Sequence, residues 1–298
     1  MLALIAGRGS LPATVAAAQN VPPLVTSLLG NAPDRLAVDI TFRIEQLGSF
    51  LDKLTDRGVR EVCFCGMITR PAIDPSMIDA RTMPLVPVLA GAVASGEDSA
   101  LRAVMSIFED AGFAVRGADE LAPSLLPAAG VLTKTPVPKG VADQIALAAP
   151  VLALQGKKDM GQACVIRGNE VIAQEDSRGT DAMLADMSET YTRPEMGGGD
   201  PLNFKVDLVG EALQGMTDWL SGPVTKARAT AKGGVLFKAP KPDQDRRVDL
   251  PTIGPGTAIH AAEAGLDGIV IAAGGVMVLD RAQVVAILDE MGMYLWVH

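Results

Sequence analysis

Short apolar runs alternate with amphipathic segments through residues 1–125, and this alternation constrains the fold more than any other feature. The apolar run 2–6 is separated by the glycine-containing loop 7–10 from a segment of helical composition, 11–18, with a proline in its first turn. Further strand-like runs lie at 23–28, 36–40 and 59–65, with amphipathic helices at 50–57 and 98–111. Because strands that alternate with helices usually pair in parallel, the sequence predicts an α/β fold with a Rossmann-like N-terminal domain and a mostly parallel sheet.

The second half of the chain has a different pattern. Clustered prolines and glycines at 124–140 indicate a boundary, so we predict domains at 1–125 and 141–298 joined by a linker at 126–140. A helix at 141–156 and a hairpin at 163–174 predict a C-terminal α/β domain with a mixed sheet. Asp280 is the expected cap of a helix at 281–291, and a closing strand follows at 294–297. The pattern weakens at about 185–232, which we interpret as an insertion that is a ligand flap, a surface excursion or an oligomer contact.

Composition excludes several classes of protein. The formal net charge of -9 disfavours nucleic acid as a partner, since its phosphates would be repelled. The start of the chain lacks the basic region of a signal peptide, and the apolar stretches at 85–94 and 145–154 are too short to cross a bilayer, so a cytoplasmic protein is expected. Cys63 and Cys65 alternate along a predicted strand and are expected to be buried reduced thiols. With 2 histidines in the chain, any metal must be bound mainly through oxygen.

Charged residues and prolines are densest at 238–254. The prolines of this segment, which fix φ and donate no hydrogen bond, predict a rigid loop; they are Pro240, Pro242 and Pro251. Four cations could neutralise a polyphosphate: Lys238, Lys241, Arg246 and Arg247. Three carboxylates could bind a divalent cation: Asp243, Asp245 and Asp249. Spacing alone equally allows a solvated loop whose charges pair with one another.

Two other segments suggest anion binding. Gly7 and Gly9 lie between a strand and a helix, where backbone N–H groups can bind an anion or simply form a tight turn. A nicotinamide-dependent oxidoreductase is the alternative that this pair suggests, but Pro12 stands where a dinucleotide fingerprint requires a third glycine. Arg70 follows Gly66 after a predicted strand and is a candidate phosphate or uracil contact, or else a surface ion pair.

Two further polar positions have structural explanations. Thr180 or Asp181 is predicted to cap a helix, although a functional role for both is kept open. His260 lies in a segment that predicts an apolar helix and is interpreted as a packed histidine, outside the site.

Five motifs occur together in one order along nearly the whole chain, at 5–12, 66–71, 159–162, 175–183 and 241–254. In this combination the chain resembles the two-domain UDP-2,3-diacylglucosamine pyrophosphatases of lipid A biosynthesis, a bacterial family distinct from the calcineurin-like enzymes. The resemblance implies Mg²⁺-dependent hydrolysis of a lipid-linked UDP-sugar to UMP and 2,3-diacylglucosamine 1-phosphate (lipid X). The long insertion and Met67, where some relatives carry a polar side chain, depart from the family pattern.

The resemblance also implies roles for individual residues. Asp249 is the first candidate both for catalysis and for binding the metal. Whether it acts as a base or as a metal ligand is left open. Asp181 and Lys241 are further catalytic candidates. The candidate substrate-binding residues are Gly7, Gly9, Ser10, Leu11, Gly66, Arg70, Gln162, Thr180, Lys238, Arg247 and Thr252. The C-terminal domain is expected to be catalytic, the N-terminal one to bind the nucleotide, and the reacting bond to lie between them.

The expected partners and one alternative function follow from the same resemblance. A lipid substrate implies transient, peripheral contact with the inner membrane, and a homodimer is left open. A non-catalytic nucleotide-lipid sensor that keeps the binding motifs is the main alternative function. Binding of the lipid without turnover would favour that alternative, whereas failure to bind NAD(P)H would exclude the oxidoreductase.

Overall fold

The chain folds into two compact α/β units. A computed structural model describes residues 1–69, 71–94, 97–157, 160–188, 233–242 and 244–298. The first unit comprises Met1–Pro127 and Pro242–Thr252, and the second comprises Ala128–Lys241 and Ile253–His298. One unit has a parallel sheet and the other a mixed sheet, so the predicted α/β class and these two sheet types are confirmed.

The first unit is built around a five-stranded sheet in the order β3-β2-β1-β4-β5, and every adjacent pair is parallel. Its elements are β1 (Leu2–Ala6), α1 (Leu11–Ala17), β2 (Leu24–Leu28), β3 (Ile40–Phe42), α2 (Leu47–Asp56), β4 (Glu61–Cys65), α3 (Val86–Ala94), α4 (Glu97–Asp110), β5 (Ala114–Val115) and α5 (Ala118–Leu121). The strand order reverses between β1 and β4, and such reversals create crevices at the carboxyl ends of the strands. The loops that follow β1 and β4 therefore lie where α/β sheets commonly bind ligands.

The predicted strand at 36–40 is displaced in the structure. The strand begins at Ile40, and its last residue, Phe42, is buried and stacks on Phe50 with ring centroids 3.9 Å apart. Asp39 precedes it and accepts a hydrogen bond from the Val25 amide through its carboxylate. Burial of an aromatic ring therefore decides the register of this strand, rather than the apolar run that precedes it.

The second unit contains a six-stranded mixed sheet in the order β6-β13-β11-β9-β7-β8. Its helices and strands are β6 (Gly130–Val131), α6 (Val141–Lys157), β7 (Ala163–Arg167), β8 (Glu170–Gln174), α7 (Thr180–Met187), β9 (Val235–Lys238), β10 (Thr252–Ile253), α8 (Pro255–Glu263), β11 (Gly268–Ile271), β12 (Met277–Val278), α9 (Arg281–Glu290) and β13 (Tyr294–Val297). The short strand β10 lies at the point where the chain re-enters this unit. Strands β9, β11 and β13 are parallel, whereas β7 runs antiparallel to both β8 and β9. The predicted hairpin, the helix from Val141 and the closing strand are confirmed.

Both faces of this sheet are buried. On β9, Leu236 packs into the cluster beneath α7, α8 and α9, whereas Val235 and Phe237 pack into the cluster beneath α6. Alternate residues of one strand therefore enter two cores, as the two-residue period of a strand requires. The charged residue that ends β9, Lys238, is only 8% exposed, so its ammonium group needs polar partners within the unit.

Two predicted helix caps are wrong in detail. Asp280 precedes α9, but with a φ of 46° it is left-handed and its side chain makes no capping bond to that helix. Helix α7 begins at Thr180 after Gly179, whose φ of 93° suits glycine, and neither Thr180 nor Asp181 caps it. The side chains of Thr180 and Asp181 bind other residues instead.

The segment 242–252 folds with the first unit although it lies late in the sequence. Leu250 is buried, and Val248 packs against the aromatic core of that unit. No helix or strand occupies its described residues before Thr252, in agreement with the predicted loop. Most of the predicted insertion (189–232), Arg70, Asp159 and Asp243 lie outside the described residues. In the part of the chain that the structure describes, no helix is long and apolar enough to cross a membrane.

Candidate active site

The loops that follow β1 and β4 cross in close contact in the first unit. The Gly7 amide donates to the carbonyl of Cys65 at 2.8 Å, and Arg8 and Met67 exchange two backbone hydrogen bonds. A Cβ at Gly7 would lie 2.3 Å from the Met67 carbonyl oxygen, and Gly66 adopts a φ of 94° at the same crossing. Both glycines are therefore required by the backbone itself, whatever the loops bind.

The other predicted residues of this region begin helix α1. Gly9 has a φ of 94° with open space around it, so its conformation alone accounts for the glycine. The Ser10 carbonyl accepts hydrogen bonds from the amide and hydroxyl of Thr14, and Leu11 is the first helical residue. The structure thus places Gly7, Gly9, Ser10, Leu11 and Gly66 around one loop crossing at the carboxyl edge of the sheet.

Asn31 is a buried residue of this region that the sequence did not single out. It is 2% exposed, its side-chain oxygen accepts from the Thr69 amide at 2.6 Å, and its amide group donates to the Thr69 carbonyl. The Arg8 guanidinium contacts the Thr69 hydroxyl. These bonds fix the loop immediately before Arg70. The sequence signal that could have identified Asn31 is its position, because it is a polar amide three residues after the apolar run of β2.

Arg247 is held by two carboxylates. Its Nε and Nη2 donate to Asp245 at 3.0 and 2.7 Å, and Nη1 contacts Glu109 on α4. The Arg247 guanidinium holds the pKa of Asp245 below its usual range. Arg246 lies 3.5 Å from Asp119. These ion pairs join the segment 242–252 to α4 and α5 of the first unit, so Arg247 has a structural task beside its predicted contact with phosphate.

Asp249 lies half-buried two residues after Arg247. Its amide donates to the Asp245 carbonyl at 3.2 Å, and its Oδ2 accepts from the Gln244 side chain at 2.5 Å. Further along, the Thr252 hydroxyl donates to the Leu250 carbonyl. Asp249 is therefore oriented by local bonds within a segment that the core of the unit anchors.

A double-mutant cycle tests the anchoring role of Arg247. We expect Arg247→Met and Glu109→Gln to be coupled by roughly 0.5–1 kcal/mol in urea unfolding at low salt, with less coupling at high salt, because the pair is partly exposed and screened. The matched control combines Arg116→Met with Glu109→Gln. Arg116 is similarly exposed, but its ion pairs are with Glu61 and Glu120. If the effects of Arg247→Met and Glu109→Gln on the free energy of unfolding are additive, the anchoring role of Arg247 is contradicted.

A buried polar network occupies the second unit. Lys238 Nζ donates to Thr180 Oγ1 at 2.6 Å, and the Thr180 hydroxyl donates in turn to Glu175 Oε1 at 2.9 Å. All three residues are less than 9% exposed. Since a lysine ammonium only donates, the direction of both bonds is determined, and the threonine proton must point to the glutamate. The network therefore fixes the position of the Lys238 ammonium at the end of β9.

Gln162 joins the same network through its backbone. Its amide donates to the other oxygen of Glu175, Oε2, at 2.7 Å, and its carbonyl accepts from Ala239 just after β9. The preceding Gly161 has a φ of 136°, and a Cβ there would lie 2.8 Å from the Glu175 side chain. The motifs at 159–162 and 175–183 are thus connected through Glu175, which the sequence analysis quoted within a motif but did not select as a site residue.

Asp181 follows Thr180 at the start of α7 and faces α8. Its Oδ1 accepts from the Thr257 hydroxyl at 3.2 Å and lies 3.7 Å from Nδ1 of His260. Desolvation alone would raise the pKa of Asp181, but His260, Lys238 and the Thr257 bond together lower it below its usual range. Because the side chain is 57% exposed, water screens all of these effects. Asp181 is accordingly an ionised carboxylate that water can reach.

The predicted residues thus fall into two groups. The first unit holds the loop-crossing residues together with Arg247, Asp249 and Thr252, and the second unit holds Gln162, Thr180, Asp181, Lys238 and Lys241. Lys241 is half-buried where the chain leaves the second unit. Within the described residues, no three histidine, cysteine, aspartate or glutamate side chains gather to form a metal cluster.

Comparison with known proteins decides the family. Residues 1–125 match the LpxI N-terminal domain, and residues 128–296 match the LpxI C-terminal domain. The chain belongs to the LpxI family. A protein of Caulobacter vibrioides named UDP-2,3-diacylglucosamine pyrophosphatase LpxI is 36% identical to it over 301 residues, which cover 98% of this chain and 95% of that relative. The LpxI family is the one that the five motifs indicated.

Proposed function

We propose that this LpxI-family chain hydrolyses the pyrophosphate of UDP-2,3-diacylglucosamine and releases UMP and 2,3-diacylglucosamine 1-phosphate, with Mg²⁺ as cofactor. The observation that carries the proposal is the 36% identity, along 98% of the chain, to a relative that bears the name of this pyrophosphatase. The similarity extends through both units, and every described site residue lies within one of the two family domains.

The side chains present suit this chemistry. Hydrolysis of a pyrophosphate requires cations that offset the phosphate oxygens and a carboxylate that orients or deprotonates water. The network with Thr180 and Glu175 supports a preorganised ammonium at Lys238. Asp181 is ionised and accessible to water, as a base or a hydrogen-bond acceptor must be. Lys241 and Arg247 are further cations for the phosphates in this proposal.

Asp249 is the proposed protein ligand of Mg²⁺. The ion usually keeps several waters and takes only one or two carboxylates, with substrate phosphates completing its shell. The described residues fit that mode, because Asp249 offers a half-buried carboxylate in an anchored loop. When bound, Mg²⁺ would neutralise charge that develops on the phosphate oxygens.

The first unit is the proposed Rossmann-like nucleotide-binding domain. Its loop crossing lies at the carboxyl ends of β1 and β4, where α/β sheets commonly bind ligands, and Arg70 follows the loop that Asn31 fixes. We further propose that the protein is cytoplasmic. Because a diacylated substrate resides in a membrane, the protein would contact the inner membrane transiently.

One assay tests the proposal. Purified protein would be incubated with UDP-2,3-diacylglucosamine in Mg²⁺ or in EDTA, and UMP and the lipid phosphate would be quantified. We expect release in Mg²⁺ and none in EDTA, with UDP-glucose, which lacks acyl chains, as the control substrate. Tight binding of the lipid without release would contradict the proposal and favour a sensor.

A further inference from the structure

His260 and Thr257 present two donors from one face of α8 to one carboxylate oxygen. The two residues are three positions apart, so they lie on the same side of the helix about one turn from each other. Thr257 Oγ1 donates to Asp181 Oδ1 at 3.2 Å, and His260 Nδ1 lies 3.7 Å from the same atom. Helix α8 therefore binds one oxygen of Asp181 through Thr257 and places His260 within ion-pair distance of the same oxygen.

The Nδ1 atom of His260 is buried without a hydrogen-bond partner among the described residues. Leaving such a group unpaired usually costs about 1–3 kcal/mol, so a packed histidine would be expected to satisfy it. The distance of 3.7 Å to Asp181 is too long for a hydrogen bond but within the range of an ion pair. A movement of about 1 Å would convert the contact into a charge-assisted hydrogen bond.

The charges around the ring favour an ion pair. Among the described residues, those that act on His260 are Asp181 from α7 and Glu263 from its own helix. The Asp181 carboxylate raises the pKa of His260, against the opposing effect of burial. In return, His260 helps to lower the pKa of Asp181, together with Lys238 and Thr257. Protonated His260 and ionised Asp181 therefore stabilise each other.

We infer that His260 is a positioning residue for Asp181 in the proposed hydrolysis: with Thr257 it orients one oxygen of an exposed carboxylate that faces the reacting phosphates or water. This inference rests on the proposed function. It reverses the interpretation of His260 as a packed residue outside the site. The imidazole lies beside the Asp181 carboxylate and, in this inference, acts through that contact rather than on the substrate.

A titration without substrate tests the pair directly. The chain has 2 histidines, so NMR signals of the imidazole rings can be assigned by comparison with His298→Gln. We expect His260 to titrate above the ordinary histidine range in the full-length protein and at lower pH in Asp181→Asn. The same His260 titration in wild type and Asp181→Asn would overturn the inference.

Steady-state kinetics then tests whether His260 positions Asp181. We expect His260→Leu to lower kcat about 10–100-fold, as loss of a residue that orients another commonly does, while KM changes little. The acidic limb of the kcat profile should move to higher pH, because Asp181 loses a cation that keeps it ionised. His260→Asn, whose amide can donate from nearly the position of Nδ1, should restore part of kcat but not the position of the limb.

Three outcomes separate the possibilities. A purely packed histidine would lower the unfolding temperature of His260→Leu and leave kcat and its pH profile unchanged, which would overturn the inference. If His260→Leu does not fold, His260→Asn and the Asp181→Asn titration decide instead. If the wild type releases no product, the proposed function fails, and the titration alone still decides whether His260 and Asp181 are coupled.

Discussion

Asp249→Asn should retain the fold and lose at least about a thousandfold in turnover of UDP-2,3-diacylglucosamine. The carboxylate is half-buried and its described side-chain bond is to Gln244, so an amide of the same shape costs little stability. It removes the negative charge that either holds Mg²⁺ or accepts a proton from water. Turnover is measured as release of UMP, and folding by circular dichroism and unfolding temperature.

A second measurement separates the two roles of Asp249. If the carboxylate holds the ion, Asp249→Asn should bind Mg²⁺ more weakly in calorimetric titration, whereas Mg²⁺ binding should persist in this variant if the carboxylate is a base. Asp245→Asn is the matched control, because that carboxylate lies in the same segment but is engaged by Arg247. A fully active Asp249→Asn, or one that no longer folds, would refute the assignment.

Glu175→Leu should destabilise the second unit by about 2–6 kcal/mol, which is roughly 1–3 kcal/mol for each of two donors that lose their acceptor. The substitution removes the acceptor of the Thr180 hydroxyl and of the Gln162 amide, and it takes one carboxylate away from the network that holds the buried Lys238 ammonium. For a unit of this size, we expect the midpoint temperature of thermal unfolding to fall by roughly 2–4 °C for each kcal/mol of stability that is lost. Unfolding in urea is followed by tryptophan fluorescence in a Trp219→Phe background, so that the signal comes from Trp296 on β13 of the same unit.

Two variants serve as controls for this experiment. Glu170→Gln alters an exposed glutamate at the start of β8, the strand that immediately precedes Glu175, and should change stability by less than about 0.5 kcal/mol. Glu175→Leu combined with Lys238→Met should be less destabilised than the sum of the single variants, since an apolar pair can replace a buried polar one. Strict additivity would show that the network does not couple these residues.

Local sequence patterns predicted most of the secondary structure. The hairpin at β7 and β8, helix α6 and strand β13 follow from apolar periodicity and a glycine turn, which are properties of neighbouring residues. The prediction at 36–40 was wrong because the register of β3 depends on the stacking of Phe42 on Phe50. The predicted caps of α7 and α9 were wrong because capping depends on backbone angles and on competing partners.

The candidate site was only partly predictable for a related reason. The motifs identified Thr180 and Lys238 separately, but their bond joins residues 58 positions apart. Glu175 and His260 have no local pattern that distinguishes a site residue from a surface or packed one. The contact between Thr257 and Asp181 spans 76 positions, so only the packing of α7 against α8 reveals it.

The sequence by itself determined the α/β class, the parallel and mixed sheets, the proline-rich loop and the resemblance to the LpxI family. These depend on residue type and short spacing, which the chain carries whether folded or not. Only the tertiary structure decided that the segment 242–252 folds with the N-terminal unit and that Glu175 and His260 contact the predicted residues. Such contacts arise because burial of apolar faces brings distant segments together, and the polar groups carried with them must then find partners.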